Sequence, residues 1–244
     1  NPGDGRVWLA GSRGLGWIER PGATPEIVEF ATGTAPFSLR HARFLADGTL
    51  LAAGGSDRRA RIWLLDVDGA RARVRRVLSM PAGGPIFDVR QRPDGDLVVA
   101  YDHRLAIVDP TSGDVQLHQP SDRMAEHSAD AMFALLPDGE GGYWAGTRGA
   151  GLLHVEFTLD DQPVFARITA ADGLPDETVY ALLRDDDGAI WLSTNRGIAR
   201  FDPAGGSISH YTPGDGLQGW EFNNTVAHVG ASGRFYFGGV NGWN

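Results

Sequence analysis

No cysteine occurs anywhere in the 244 residues, which removes disulfide frameworks, thiolate zinc sites and cysteine nucleophiles in one step. No apolar run approaches the 18 or so residues of a membrane-spanning helix. No helical periodicity runs through the chain, and neither a Gly-x-Ser-x-Gly elbow, a phosphate loop nor a zincin motif is present. Basic residues are outnumbered too: the formal charge of −9 argues against a nucleic-acid or anionic-membrane surface. Neither an initiator Met nor a signal peptide opens the chain, which begins NPGDGRVW, inside a hairpin.

What the sequence has is a repeat. The stretch Asp187 to Pro203, DGAIWLSTNRGIARFDP, reads as a β-hairpin: an Asp-Gly turn, an apolar run around Trp191, a second turn at Gly197, and a run from Ile198 to Phe201 stopped by Asp202-Pro203. Turns of the first kind fall at Asp4, Asp47, Asp94, Asp138, Asp187 and Ser232, in steps of 43, 47, 44, 49 and 45 residues. Four residues on stand Trp8, Leu51, Val98, Trp191 and Tyr236, and in the fourth copy Glu140-Gly141-Gly142 reads as an insertion that delays Trp144. A period in the forties built of short strands predicts an all-β chain, a β-propeller with four-stranded blades that must stack on neighbours to be stable.

About five to six blades are expected: a partial blade over 1–30, blades near 37–80, 85–120, 129–169 and 178–211, and a partial blade over 222–244 that stops after its second strand. Two cut blades predict a fragment of a longer ring, seven-bladed by the resemblance below. The polar stretch Ser121 to Asp130 is the longest connection. Trp8, Trp144, Trp191 and Trp63 are expected in the core, and the basic run Arg71 to Arg76 at a solvated edge.

Metal and cofactor chemistry find no support. His41, His103, His118, His127, His154, His210 and His228 show no His-x-His or His-x-x-x-His pair, so each is expected as an ordinary strand or surface histidine. Of these, His103 alone sits in a turn on the candidate face described next. Asp185-Asp186-Asp187-Gly188 lacks the alternating ligands and downstream Glu of a calcium loop. No metal, no cofactor and no catalytic residue is assigned.

In a propeller the turns between second and third strands share one face with the connections between blades. Those turns carry Arg13, Arg58, Arg104, Arg148 and Arg196, with Asn195 and Asn241 beside them, and Arg13, Arg148 and Arg196 precede a Gly in matching positions. Guanidinium forks suit carboxylate or sulfate groups. The connections add Trp220, able to stack on a sugar ring, and Asn223. An anionic oligosaccharide or small acid on this face is the expectation; turn arginines paired with neighbouring Asp are the alternative.

The pattern D-G-x-h-W-h-G-T-x-x-G-h-x-x-h-D, met as DGAIWLSTNRGIARFDP and GGYWAGTRGAGLLHVEF, resembles the two-component regulator propeller repeat. Gly-Leu linkers at Asp172 to Pro175 (DGLP) and Asp215 to Gln218 (DGLQ) strengthen the likeness, as do Glu221-Phe222-Asn223 and the run from Phe237-Gly238-Gly239 to Gly242. Leu51 and Val98 stand where the repeat prefers Trp. The resemblance implies a periplasmic ligand-sensing region of an inner-membrane protein, usually paired seven-bladed propellers in a homodimer. A histidine kinase or diguanylate cyclase would follow outside these residues, so no enzyme activity is expected within them. WD40 and kelch signatures are absent, and the nearest rival is the virginiamycin B lyase-like propeller, which shares the Asp-Gly-x-h-W hairpin and uses a histidine and a metal. A protein-interaction propeller is the third possibility.

Overall fold

A computed structural model of the chain describes residues 6–11, 14–19, 24, 26–28, 39–56, 59–69, 71–81, 84–120, 131–230 and 232–244. Its described residues form six antiparallel sheets, met one after another along the sequence. The first holds β1 (Val7–Gly11), β2 (Gly14–Ile18) and β3 (Glu26–Val28), and the second β4 (Leu39–Phe44), β5 (Leu50–Ser56), β6 (Arg59–Asp68) and β7 (Arg71–Ser79). The third holds β8 (Ile86–Gln91), β9 (Leu97–Tyr101), β10 (Arg104–Val108) and β11 (Val115–His118). The fourth is β12 (Met132–Pro137), β13 (Tyr143–Thr147), β14 (Leu152–Phe157) and β15 (Pro163–Ile168). The fifth is β16 (Val179–Arg184), β17 (Ile190–Thr194), β18 (Gly197–Phe201) and β19 (Ile208–Tyr211), and the sixth β20 (Phe222–Val229), β21 (Phe235–Gly239) and β22 (Gly242–Trp243).

Each sheet is a meander in which neighbouring strands are consecutive in sequence, and such sheets are the blades of an all-β propeller. In the sixth, the short strand β22 follows the turn in which the sequence reading ends the blade, and Asn244 exchanges two backbone hydrogen bonds with Phe237. The chain divides into two compact units, Asn1–Asp102 with Ala106–Leu117, and His103–Leu105 with His118–Asn244.

Burial follows from stacking. Strands β9 and β13 are buried along their whole length, so both faces are apolar and the runs LVVAY and YWAGT show no alternation. In the first unit one core joins the second sheet to the third (Ile62, Leu64, Leu97, Val99) and another joins the first to the second (Leu15, Leu50, Trp63). The second unit repeats this arrangement, with Trp144, Leu152, Ile190 and Phe201 between the fourth and fifth sheets and Ile198, Phe222 and Phe237 between the fifth and sixth. Trp63 and Trp144 are core, while Trp8 and Trp191 are partly buried at the same clusters. Burying one such aromatic stabilises by roughly 1.5–3 kcal/mol.

In the second to sixth sheets the turn between first and second strands has one length. Backbone N–H groups of Leu45, Arg92, Asp138, Asp185 and Gly230 donate to the carbonyls of Thr49, Asp96, Gly142, Ala189 and Arg234, and the fourth residue of each turn is a left-handed Gly: Gly48, Gly95, Gly141, Gly188 and Gly233. Asp138 therefore corresponds to Asp185, not to Asp187. Trp144 pairs with Leu136 as Trp191 pairs with Leu183, and the fourth copy has no insertion. Its Asp-Gly pair simply sits two residues earlier in a turn of the same length.

One irregularity also recurs. Pairing of first and second strands slips between Leu39 and His41, Ile86 and Asp88, Met132 and Ala134, and Val179 and Ala181, leaving Arg40, Phe87, Phe133 and Tyr180 as unpaired bulge residues. In β20 the slip widens to Phe222–Ala227. A bulge re-aims a side chain without altering the rest of the ladder.

Candidate functional site

The turns between second and third strands are fastened from below by a threonine. Thr147 Oγ1 donates to the Gly151 carbonyl (2.8 Å) and accepts from the Ala150 N–H, and Thr194 Oγ1 donates to the Gly197 carbonyl (2.9 Å) and accepts from the Arg196 N–H. Both threonines are fully buried. Gly197 closes its turn at φ +94°, where an added Cβ would meet the Tyr211 carbonyl oxygen at 2.2 Å, so the position admits only Gly. Its N–H donates to the Trp220 carbonyl (2.8 Å), as that of Gly151 does to Glu177, which ties each turn to the following inter-blade connection.

Those connections are built by their sequence. Thr169 donates its N–H and hydroxyl to Asp172 Oδ2, Thr212 does the same to Asp215, and Gly173 and Gly216 reverse the chain at φ +107° and +104°. Leu174 then drops into the core. The Thr169 and Thr212 donors hold both carboxyls below the ordinary Asp value.

Above this base the second unit gathers a polar and aromatic cluster. The bulge residues Phe133 and Tyr180 stack, ring centroids 5.7 Å apart and 12° from parallel, and the Arg148 guanidinium lies over Phe133 at 5.2 Å. Tyr180 donates its hydroxyl to Asn195 Oδ1 (2.8 Å), and the Asn195 amide donates to Asp176 (3.3 Å), which also faces Arg196 at 4.0 Å. Desolvation, then the charges of Asp176 and Glu221, raise the Tyr180 phenol. It remains a neutral donor at physiological pH. Thr178 donates its hydroxyl to the Arg148 carbonyl and completes the frame.

Arg148, Asn195 and Arg196 come together here, and Trp220, 54% exposed, is tied in through its carbonyl at Gly197. Asn223 lies exposed on β20, and Asn241 donates its N–H to the Gln218 side chain in the last turn. Arg104 opens β10 instead of lying in the turn, and Arg13, Arg58 and His127, with the connection 121–130, lie outside the described residues. Arg148 and Arg196 do not match in position. Thr147 corresponds to Thr194 by pairing, so Arg148 corresponds to Asn195, and the extra residue in the turn after Thr147 produces the false match. The charge is also more mixed than turn arginines alone suggest, because Asp176 stands beside Arg196, and Asp176 and Glu221 act with Arg148 on Tyr180. Sequence reasoning missed Phe133 and Tyr180, since bulges leave no mark on an alternation pattern, and Asp176, which lies in the connection before β16.

Elsewhere in this unit a cavity of about 380 Å³ is lined by Trp191, Ile198, Phe235, Phe237, Asp185 and Arg184. Among the described residues no three His, Asp or Glu side chains converge as a metal set, and no helix is long and apolar enough to cross a membrane.

Residues 173–196 match the family described as two component regulator propeller. The fold is that of the extracellular domain of BT3049 from B. thetaiotaomicron, assigned to a hybrid two component system (TM-score 0.78, 16% identity, 99% of this chain and 32% of that one). It is also that of PorZ, an essential surface component of the type-IX secretion system of Porphyromonas gingivalis (0.72, 16%, 99% and 37%). More distant is virginiamycin B lyase from Staphylococcus aureus, seen as an inactive variant with quinupristin (0.64, 12%, 100% and 80%). No curated protein matches in sequence. The chain spans about a third of the BT3049 domain. The segment that runs from the Gly-Leu linker through the Trp191 strand to the Asn195-Arg196 turn thus matches the two-component regulator propeller repeat, and the all-β chain that holds it is a β-propeller.

Proposed function

We propose that this chain is an extracytoplasmic, periplasmic ligand-sensing region of a membrane-bound signalling protein, itself without enzyme activity, whose output kinase or diguanylate cyclase lies outside it. The ligand is an anionic oligosaccharide or small acid, and the full-length protein works as a homodimer. The observation that carries this reading is the Phe133–Tyr180 stack with Arg148 above it and the Asn195–Asp176–Arg196 network beside it. Phe133 is buried beneath Arg148, so the partly buried Tyr180 and the half-exposed Trp220 are the rings left to a sugar face; Arg148 has no carboxylate partner among the described residues, so its guanidinium is left to a ligand acid. Ligand binding shifts such a sensor only by its differential affinity for two arrangements.

Calorimetric titration with matched acidic and neutral oligosaccharides tests this reading. Binding of an acidic member, weakened at least tenfold by Arg148→Ala, is expected. Binding confined to neutral members, or unaffected by that change, overturns it.

A further inference from the structure

The first strands of the two units are built differently. Ala134 and Leu136 on β12, and Ala181 and Leu183 on β16, occupy the positions that His41 and Arg43 fill on β4 and that Asp88 and Arg90 fill on β8. Two guanidiniums, one imidazole and one carboxylate are thus placed between neighbouring strands, with Asp88 only 5% exposed and His41 16% exposed at the side chain. Every basic residue of the chain is Arg, 22 in all, and Arg keeps its charge where burial would neutralise Lys.

The carboxylate is already occupied. Asp88 Oδ1 accepts from the Val89 N–H (2.8 Å) and faces His41 Nε2 at 3.3 Å, and Oδ2 accepts from Arg90 Nη2 (2.8 Å). Arg43 Nε and Arg90 Nε are buried and reach no acceptor among the described residues. Burial, opposed by Asp88 and reinforced by Arg43 and Arg90, pushes the His41 imidazole down to about 4, so it adds no charge at neutral pH. Burial and then Arg90 lower the Arg43 guanidinium to about 10, which leaves it charged. Two cations face one anion, and a buried cation with unmet donors is costly unless something supplies the missing charge.

We propose that Arg43 and Arg90 hold one small monovalent anion, of halide or formate size, between β4 and β8, with Asp88 as the competing internal anion. The site shares no residue with the Phe133–Tyr180 cluster and is independent of the function proposed above. Its opening is the partly exposed Arg90, 24% accessible at the side chain.

The whole chain is unfolded by heat while sodium bromide replaces sodium gluconate, an anion too bulky for the site, at constant ionic strength. Tm is expected to rise by about 2–4 °C. Arg43→Met is expected to abolish the rise. Asp88→Asn removes the competing charge, so half of the rise should come at a several-fold lower bromide concentration, a direction that a merely structural Asp88 would not give. A wild-type Tm indifferent to bromide, or an Arg43→Met protein that responds as wild type does, overturns the site. If that variant does not fold, crystals of the wild-type chain soaked in bromide decide: an anomalous peak between the two guanidiniums upholds the proposal, and no peak there ends it.

Discussion

The fourth and fifth sheets solve one problem with different residues. In the fifth, Asp185 accepts from the Ala189 N–H (2.8 Å), the Trp191 indole (2.9 Å) and Arg200 Nε (3.0 Å), so one carboxylate pins a turn, a strand and its neighbour. In the fourth, Asp138 accepts from the Glu140 and Gly142 N–H groups (both 2.8 Å) and faces His154 at 3.0 Å, and His154 stacks on Trp144 with centroids 4.1 Å apart. His154 stands opposite Trp144 as Arg200 stands opposite Trp191. Carboxylate and tryptophan are kept, and the nitrogen-bearing partner between them is exchanged, His154 for Arg200. The repeat thus conserves a role more strictly than a residue.

Removing each member tests how far the two locks are equivalent. Trp144→Ala empties a buried site and is expected to cost about 3–5 kcal/mol in denaturant unfolding, whereas Trp191→Ala, at a partly exposed ring, should cost about 2–3 kcal/mol. Equal losses would show that the indole hydrogen bond to Asp185 compensates for the lower burial. Asp185→Ala breaks bonds from a cation, an indole and a turn N–H, and about 1.5–3 kcal/mol is expected to go, again by denaturant titration.

Acid should weaken both sheets. Desolvation raises each carboxyl, but the backbone donors with His154 at Asp138, and the Trp191, Ala189 and Arg200 donors at Asp185, outweigh it and hold both below the ordinary 3.8. Their contribution is fully present above that value and lost as pH falls through the lower folded values. Tm measured from pH 5 to 2.5 should fall more steeply for the wild type than for the Asp138→Asn, Asp185→Asn double variant; parallel curves would remove these carboxylates from the acid response. The smallest effect is expected of His154→Arg, within about 0.5 kcal/mol if Arg can take the place that Arg200 holds. A loss above that would mean that the flat stack of His154 on Trp144 matters in itself.

The repeat was legible because a left-handed turn residue must nearly always be Gly, and Gly48, Gly95, Gly188 and Gly233 mark the phase directly. The fourth copy misled for the same reason. Gly139 and Gly141 are both left-handed, and the eye takes the first after an Asp. Strands β9 and β13 could be placed but not oriented, since a strand buried on both faces shows no alternation. The candidate site was half legible. Arg148, Asn195 and Arg196 fall in turns that the motif locates, whereas Phe133 and Tyr180 acquire their role from a one-residue slip in pairing that depends on the neighbouring strand. Thr147 and Thr194 were in view within the motif, but their buried hydroxyl bonds appear only when the turn is closed. The His41–Asp88 pair joins residues 47 positions apart in two copies of one strand, which no local pattern connects.

The bulge at the second residue of β4, β8, β12 and β16 has a bearing on how such a chain could be redesigned. Because Arg40 and Tyr180 stand outside the ladder and reach the surface, each is a slot whose side chain can be exchanged while strand register stays put, whereas Phe87 and Phe133 at the same position are buried. A library that randomises those two surface positions alone would leave the scaffold's pairing untouched, much as interchangeable type set into one frame prints different words.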